Sequence, residues 1–314
     1  MNWKCTTLML IGMLCVSQSI LVQRTVVLGQ ETDSKVITVS AQSESSTAEP
    51  LQKAEGVLLR YKFDTNSVLH YYFDKQSQMV TAKGEIKQIV KDKTKSNRHF
   101  RVIGVENDGS AELEIVVDRV QMETQAEEDV TSSYDSNKPD TVGKDYQKIQ
   151  DIIGKSMARL IVSNRGQITQ VIQAPAGEKI DLDPSLNFLL VLPEEPVTVG
   201  HTWKETIEHI VPLDTKPLTM NIKLMRTYEI KKIENQIVSI HFKTGRLTPL
   251  RDPKIEVRTM QLLPEGDIEF DLKSGVMLTR KSRINSNVLG AMGGNSSISA
   301  LVGINETYSD KPAQ

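Results

Sequence analysis

The feature that most constrains this chain is a strict alternation of apolar and polar residues, broken at intervals by Gly and Asn in tight-turn settings. Successive side chains of a strand point to opposite faces, so such alternation belongs to half-buried strands, and short breaks join them as hairpins. The stretch "RVIGVENDGSAELEIVV" turns at Asn107, Asp108 and Gly109, then sets Ala111, Leu113, Ile115 and Val117 against Glu112 and Glu114. Asn, Asp and Gly tolerate the positive φ of a two-residue hairpin turn. "ARLIVSNRGQITQVI" turns at Asn164, Arg165 and Gly166. "YEIKKIENQIVSIHF" turns around Glu234 and Asn235, with Val238, Ile240 and Phe242 on one face. "GDIEFDLKSGVMLTRK" carries Ile268, Phe270 and Leu272 before a turn at Lys273, Ser274 and Gly275. These patterns predict a mainly β protein: an antiparallel meander forming a curved sheet, half-barrel or barrel, with one or two short helices inserted centrally.

Two segments depart from the alternation. "DTVGKDYQKIQDIIGKSM" sets Val142, Tyr146, Ile149 and Ile153 at helical spacing behind Asp140 or Thr141 as N-cap, which predicts a helix of about four turns. "DPSLNFLLVLPEEP" has Asp183 as N-cap and Pro184 at the first helical position, is apolar almost all round over residues 188–192, and stops at Pro193. A helix this greasy must be covered. It either plugs one end of the sheet as core or closes a pocket at the mouth of a barrel, a common place for ligands.

The first thirty residues hold Lys4, an apolar run over residues 8–16, and then Ser17 and Ser19, the order of a secretory signal peptide. Cleavage after Ser19 or after Gly29 fits. An uncleaved anchor over residues 6–22 and a lipid-modified Cys15 are the other readings, the latter opposed by the bulk of Leu14 before the cysteine. Both cysteines, Cys5 and Cys15, lie in this segment, so a chain cleaved after residue 29 has no thiol and no disulfide. It would carry 36 basic against 40 acidic groups, a formal charge of -4. Dispersed charge of this kind leaves no footprint for a polyanion and argues against nucleic acid as a partner.

The expected organisation is a signal peptide over 1–29, a Ser-, Thr- and Glu-rich flexible linker over 30–55, and one β-rich domain over 56–310. Within it "RYKFDTNSVLHYYF" and "PVTVGHTWKETIEHIV" each place a turn before a strand start. Two pseudo-repeats, 56–135 and 195–310, around a helical insert are compatible with that echo.

Candidate chemistry is sparse. Asp267, Glu269 and Asp271 alternate on one predicted strand, about 6.8 Å apart, and form a row with Lys273 rather than a cluster able to close on one ion. His201, Glu205 and His209 would share a strand face but spread over about 27 Å, too far for one metal. His70, His99 and His241 show no neighbouring ligand in sequence, and neither a H-E-x-x-H nor a G-x-S-x-G motif occurs. The Gly-rich "LGAMGGNSS" lacks the G-K-[ST] of a phosphate loop and reads as a hairpin loop.

Four segments in a fixed order carry a resemblance: "YKFDTNSVLHYYF" at 61–73, "DGSAELEIVVDRVQME" at 108–123, "LPEEPVTVGHTW" at 192–203 and "EGDIEFDLKSGVMLTRK" at 265–281. "SSYDSNKPD" followed by "IIGKSMARLIVSNRGQITQV" fits between them. Over residues 57–286 the chain resembles a family of uncharacterised bacterial secreted proteins, a domain of unknown function from cell-envelope secretomes. It departs from the family at Asn66, where a Gly is usual; Asn also adopts the left-handed conformation. The resemblance implies export, an all-β core with a central helical insert and no assigned activity. The family's recurring residues fall here on Gly109, Gly166, Gly200, Trp203, Phe270, Asp271 and Gly275, mostly turn and core positions.

The expectation is therefore an exported protein of the periplasm or extracellular space with a non-enzymatic binding or structural role, partnered by an envelope protein or an apolar ligand. Membrane contact would come only through an uncleaved signal segment. No catalytic residue, metal-ligand set or cofactor is expected. A carrier of an apolar ligand in a half-barrel cavity is the first alternative, with Phe188, Leu189, Leu192 and Trp203 as ligand contacts. A carboxylate-dependent hydrolase is the second.

Overall fold

The computed structural model describes residues 56–127, 130–138, 146–173, 189–213 and 219–312. In chain order these form β1 (Val68–Lys83), β2 (Ile86–Val105), β3 (Ala111–Glu127), β4 (Val130–Asp135), α1 (Gln147–Gln150), β5 (Ser156–Val162), β6 (Ile168–Gln173), β7 (Thr202–Pro212), β8 (Thr219–Glu234), β9 (Ile237–Arg246), α2 (Pro253–Thr259), a 3-10 turn (Met260–Leu262), β10 (Glu265–Asp271), β11 (Val276–Leu289) and β12 (Ser296–Ser309). All twelve strands belong to one antiparallel sheet in the order β6-β5-β3-β2-β1-β12-β11-β10-β9-β8-β7, with β4 beside β3. Most strands lie beside a neighbour in sequence, but β3 pairs with both β4 and β5, β6 and β7 end at opposite edges, and the pairing of β1 with β12 joins the two halves of the chain at the centre.

The sheet is open and curved, as expected from the alternation. Strands β3 and β9 stand six places apart, roughly 29 Å if the sheet were flat. Leu113 and Ile115 of β3 nonetheless share one apolar cluster with Val238, Ile240 and Phe242 of β9, because the sheet curls around two covering segments, residues 57–63 and 189–197. Tyr61 bridges the curl. Its ring meets Phe270 of β10 edge-on at 5.4 Å, and its backbone N–H donates to the carbonyl of Asn164 in the β5–β6 turn at 2.8 Å.

The turns follow the sequence. Asn66, Gly109, Gly166 and Gly275 all take positive φ, and the β8–β9 hairpin turns through Asn235 and Gln236, both left-handed. The helices do not follow it. Over the described residues the first expected helix is the single turn α1, and residues 151–154 are turns. Gly154 at φ +69° ends it by donating its N–H to the Val117 carbonyl on β3 at 2.9 Å. Residues 189–192 of the second expected helix are not helical; Leu192 donates instead to the Arg165 carbonyl at 2.9 Å, and residues 183–188 lie outside the described residues. The longest helix among the described residues, α2, breaks the alternation between β9 and β10: Asp252 caps it by accepting from the Lys254 N–H at 2.8 Å and Pro253 opens it. It leaves the sheet between β9 and β10 and packs Ile255 against a cluster on β7 and β8, while Val257 and Met260 pack against β11 and β12.

Candidate functional site

Curvature gives the sheet an inner face, and the register identifies which residues line it. Tyr71 is buried, so Phe73, Lys75, Ser77 and Met79 of β1 point inward with it; across the ladders they meet Glu306, Ile304, Val302 and Ala300 of β12, and Ser96, Thr94, Asp92 and Val90 of β2. The two covering segments close one end of this face and α2 closes part of the other. Between them lies a band of charge.

At the centre of the band is Glu306, 1% exposed. It accepts from Arg98 of β2 and from Arg280 of β11, so one carboxylate ties three strands. Burial alone would raise its titration, but the two guanidinium groups outweigh that and hold it below the usual carboxylate range. Arg280 is displaced upward in turn, burial opposing and Glu306 prevailing. Along the same face the Tyr228 hydroxyl donates to Glu205 at 2.8 Å, and Arg226 Nε donates to the Thr244 hydroxyl at 3.1 Å. Asp92 accepts from Thr124 at 2.8 Å and from Ser77 at 3.3 Å. Burial lowers the Lys75 ammonium despite the opposing charge of Asp92.

Beside the band stand Phe73, Met79, Val90 and Ile304, which face inward yet are only half-buried. Among the described residues they belong to none of the apolar clusters. Arg98 lies 5.5 Å over the Phe73 ring. The result is an elongated, mixed surface. Phe73 and Met79 are six residues apart on one strand, a span of about 20 Å.

Of the expected ligand contacts, Leu189 and Leu192 are core, 5% and 0% exposed. Trp203 stacks on Tyr228 at 4.9 Å and donates its indole N–H to the Val191 carbonyl at 2.9 Å. Phe188 lies outside the described residues. The hollow beside Leu189, lined by Phe100, Leu113, Ile115, Leu160 and Ile168, is about 10 Å³, room for no more than a single water.

The acids of the 266–281 stretch are drawn apart by local partners. Asp267 pairs with His241 Nδ1 at 2.9 Å, and Glu269 accepts from Thr279 at 3.3 Å. The strand stops at Asp271, whose carboxylate accepts from the Ser274 hydroxyl at 2.6 Å and the Lys273 N–H at 2.8 Å. Those bonds lower its pKa, the Ser274 contact most. Sequence reasoning missed Arg98, Arg280 and Glu306. The available signal was a charged residue at a parity otherwise held by apolar ones: Arg98 in step with Phe100 and Val102, Glu306 with Val302 and Ile304.

No family model matches the chain, and no curated protein matches it. Among solved structures it is similar to lipovitellin, in a structure concerned with lipid–protein interactions, with a TM-score of 0.42 and 14% identity over 81% of this chain. The chain spans 26% of that lipovitellin chain. It is also similar to DynF from the dynemicin biosynthesis pathway of Micromonospora chersina, with a TM-score of 0.21 and 8% identity over 83% of this chain and 92% of that one. A DUF1329 family protein from Desulfovibrio piger gives a TM-score of 0.14 and 10% identity over 76% and 83% of the two chains. Identities this low leave the function to be read from the chain's own side chains.

Proposed function

We propose that this is an exported, non-enzymatic binding protein whose inner face takes an elongated amphipathic ligand along β2, β1 and β12. The observation that carries this reading is the set Phe73, Met79, Val90 and Ile304: apolar side chains at the middle of the sheet, facing inward, part-exposed and outside the clusters that hold the closing segments. Inward apolar residues at the centre of a sheet are ordinarily buried, and a strip of them beside ordered polar groups is how binding surfaces fix one end of a ligand while desolvating the rest. Lys75, Thr94 and Ser96 on the same face supply the polar contacts.

Export is proposed from residues 1–29, where the apolar run follows Lys4 and precedes small residues. A non-catalytic role is supported by the carboxylates. Asp108, Glu114, Asp135, Glu265, Asp271 and Glu306 are all displaced downward, whereas a general acid at neutral pH needs an upward shift.

The test is titration of the full chain with a fluorescent long-chain fatty acid. The expected result is saturable binding that Met79→Asp and Phe73→Asp weaken by about tenfold or more, since each places a charge in the strip. Glu269→Gln and Asp271→Asn should leave it unchanged. Absence of saturable binding, or equal binding by all four variants, overturns the reading. Turnover of a glycan panel that is lost in the two amide variants would replace it with a hydrolase.

A further inference from the structure

On the outer face, far from the inward strip in side-chain direction, two histidines from separate strands meet. His70 of β1 and His99 of β2 are direct partners in the ladder, with ring centroids 5.8 Å apart. A carboxylate joins them by way of an irregularity in β3. There Asn97 pairs with Arg119 and Arg98 with Val117, so Asp118 is the extra residue of a β-bulge, without a partner in the register. Bulges re-aim a side chain. Here the Asp118 oxygens lie 2.8 and 2.9 Å from His99 Nδ1.

We propose that His70, His99 and Asp118 form a binding site for a divalent transition metal, with Zn²⁺ as the best chemical match. One ring nitrogen from each histidine and one Asp118 oxygen all lie within 4.8 Å of one another. Two imidazoles and a carboxylate are a zinc ligand set, with bonds of about 2.0–2.2 Å, which places ligand atoms of a tetrahedral site roughly 3.4 Å apart. Small side-chain rotations of about 1 Å would close the site, and cross-strand pairing on a twelve-stranded sheet holds two of the three Cα atoms in place. Three protein ligands leave a fourth position open to water or to a group from outside.

Charge around the cluster favours a cation. Two basic groups of the same strands each have a carboxylate of their own, Arg101 with Glu114 and Arg119 with Asp135. A neutral imidazole is the form that ligates. An ordinary reading of the same contacts, a surface histidine–aspartate pair, accounts for His99 and Asp118 but gives His70 no role.

The experiment uses the full chain without a histidine tag, with ZnCl2 followed by calorimetry and CoCl2 followed by visible absorption. The expected result is one Zn²⁺ per chain and an intense tetrahedral Co²⁺ band. His70→Ala, His99→Ala and Asp118→Asn should each weaken binding by about tenfold or more, and His241→Ala should leave it unchanged. Affinity should fall from pH 7 to pH 5 as protons compete for the imidazoles. Asp118→Asn sits on an exposed bulge and preserves the fold, so its result stands if a histidine variant unfolds. Absence of stoichiometric binding, or binding undiminished in Asp118→Asn or in a folded His70→Ala, overturns the three-ligand site.

Discussion

The backbone N–H of Leu190 donates to the hydroxyl of Tyr61 at 2.8 Å, across 129 residues of chain. This bond joins the two covering segments to each other inside the curled sheet, where both residues are buried. Burial in turn pushes the Tyr61 hydroxyl far above the ordinary range of a tyrosine. Tyr61→Phe keeps the ring against Phe270 and removes only the acceptor, which leaves a buried N–H without a partner. The expected loss is about 1–3 kcal/mol, read from the urea midpoint at unchanged m-value.

Gly166 lies directly beneath that bond. It has φ +82°, and a Cβ there would strike the Leu190 carbonyl and stand 2.7 Å from the Tyr61 ring. Gly84 in the β1–β2 turn has a similar φ of +60° with nothing within 4 Å. Gly84→Ala should cost about 1–2 kcal/mol for the left-handed backbone alone. Gly166→Ala should exceed it by a further 1–3 kcal/mol, roughly, because the cover must shift. Equal losses in thermal unfolding would mean that the cover does not press on the turn.

The ion triad of Glu306, Arg98 and Arg280 sits where most sheets hold hydrocarbon. Removing the carboxylate leaves two part-buried arginines, 14% and 22% exposed, side by side without their shared counter-charge, so Glu306→Ala should destabilise by about 3 kcal/mol. Replacing the three together by Leu, Met and Met should return most of that loss, since apolar groups of similar size need no counter-charge. Chemical denaturation of the single and triple variants separates the two outcomes, and a triple variant as unstable as the single one would contradict this account.

Asp135 titrates at about 2, held down first by its hydrogen bonds from Arg119 at 2.8 and 3.2 Å, and further by the Asn137 N–H and the Gln121 amide. Its value in the unfolded chain is about 3.9. The folded state therefore prefers the ionised form: the contribution is present above about pH 4 and is lost as pH falls through about 2. Near the surface it is worth about 1 kcal/mol or less. Asp135→Asn should be less stable than the parent at pH 7 and should show a smaller further loss between pH 4 and pH 2. Parallel stability curves for the two proteins would exclude this role.

The mainly β class, the hairpin turns at Gly109, Gly166 and Gly275, and the inward faces of β3, β9 and β10 were legible in the sequence by itself. They depend on the period of two and on local φ requirements, which a few consecutive residues express. Helix α2 has a local signal too, in Asp252 and Pro253. What only the tertiary structure decided was long-range pairing: that β1 lies against β12, that Arg98, Arg280 and Glu306 converge from three strands, and that a bulge brings Asp118 to His70 and His99. Local alternation tells each residue which side it faces. Which strand lies beside it is settled by how a sheet this wide curls to bury its apolar face around its own covering segments, and no short stretch of sequence contains that information.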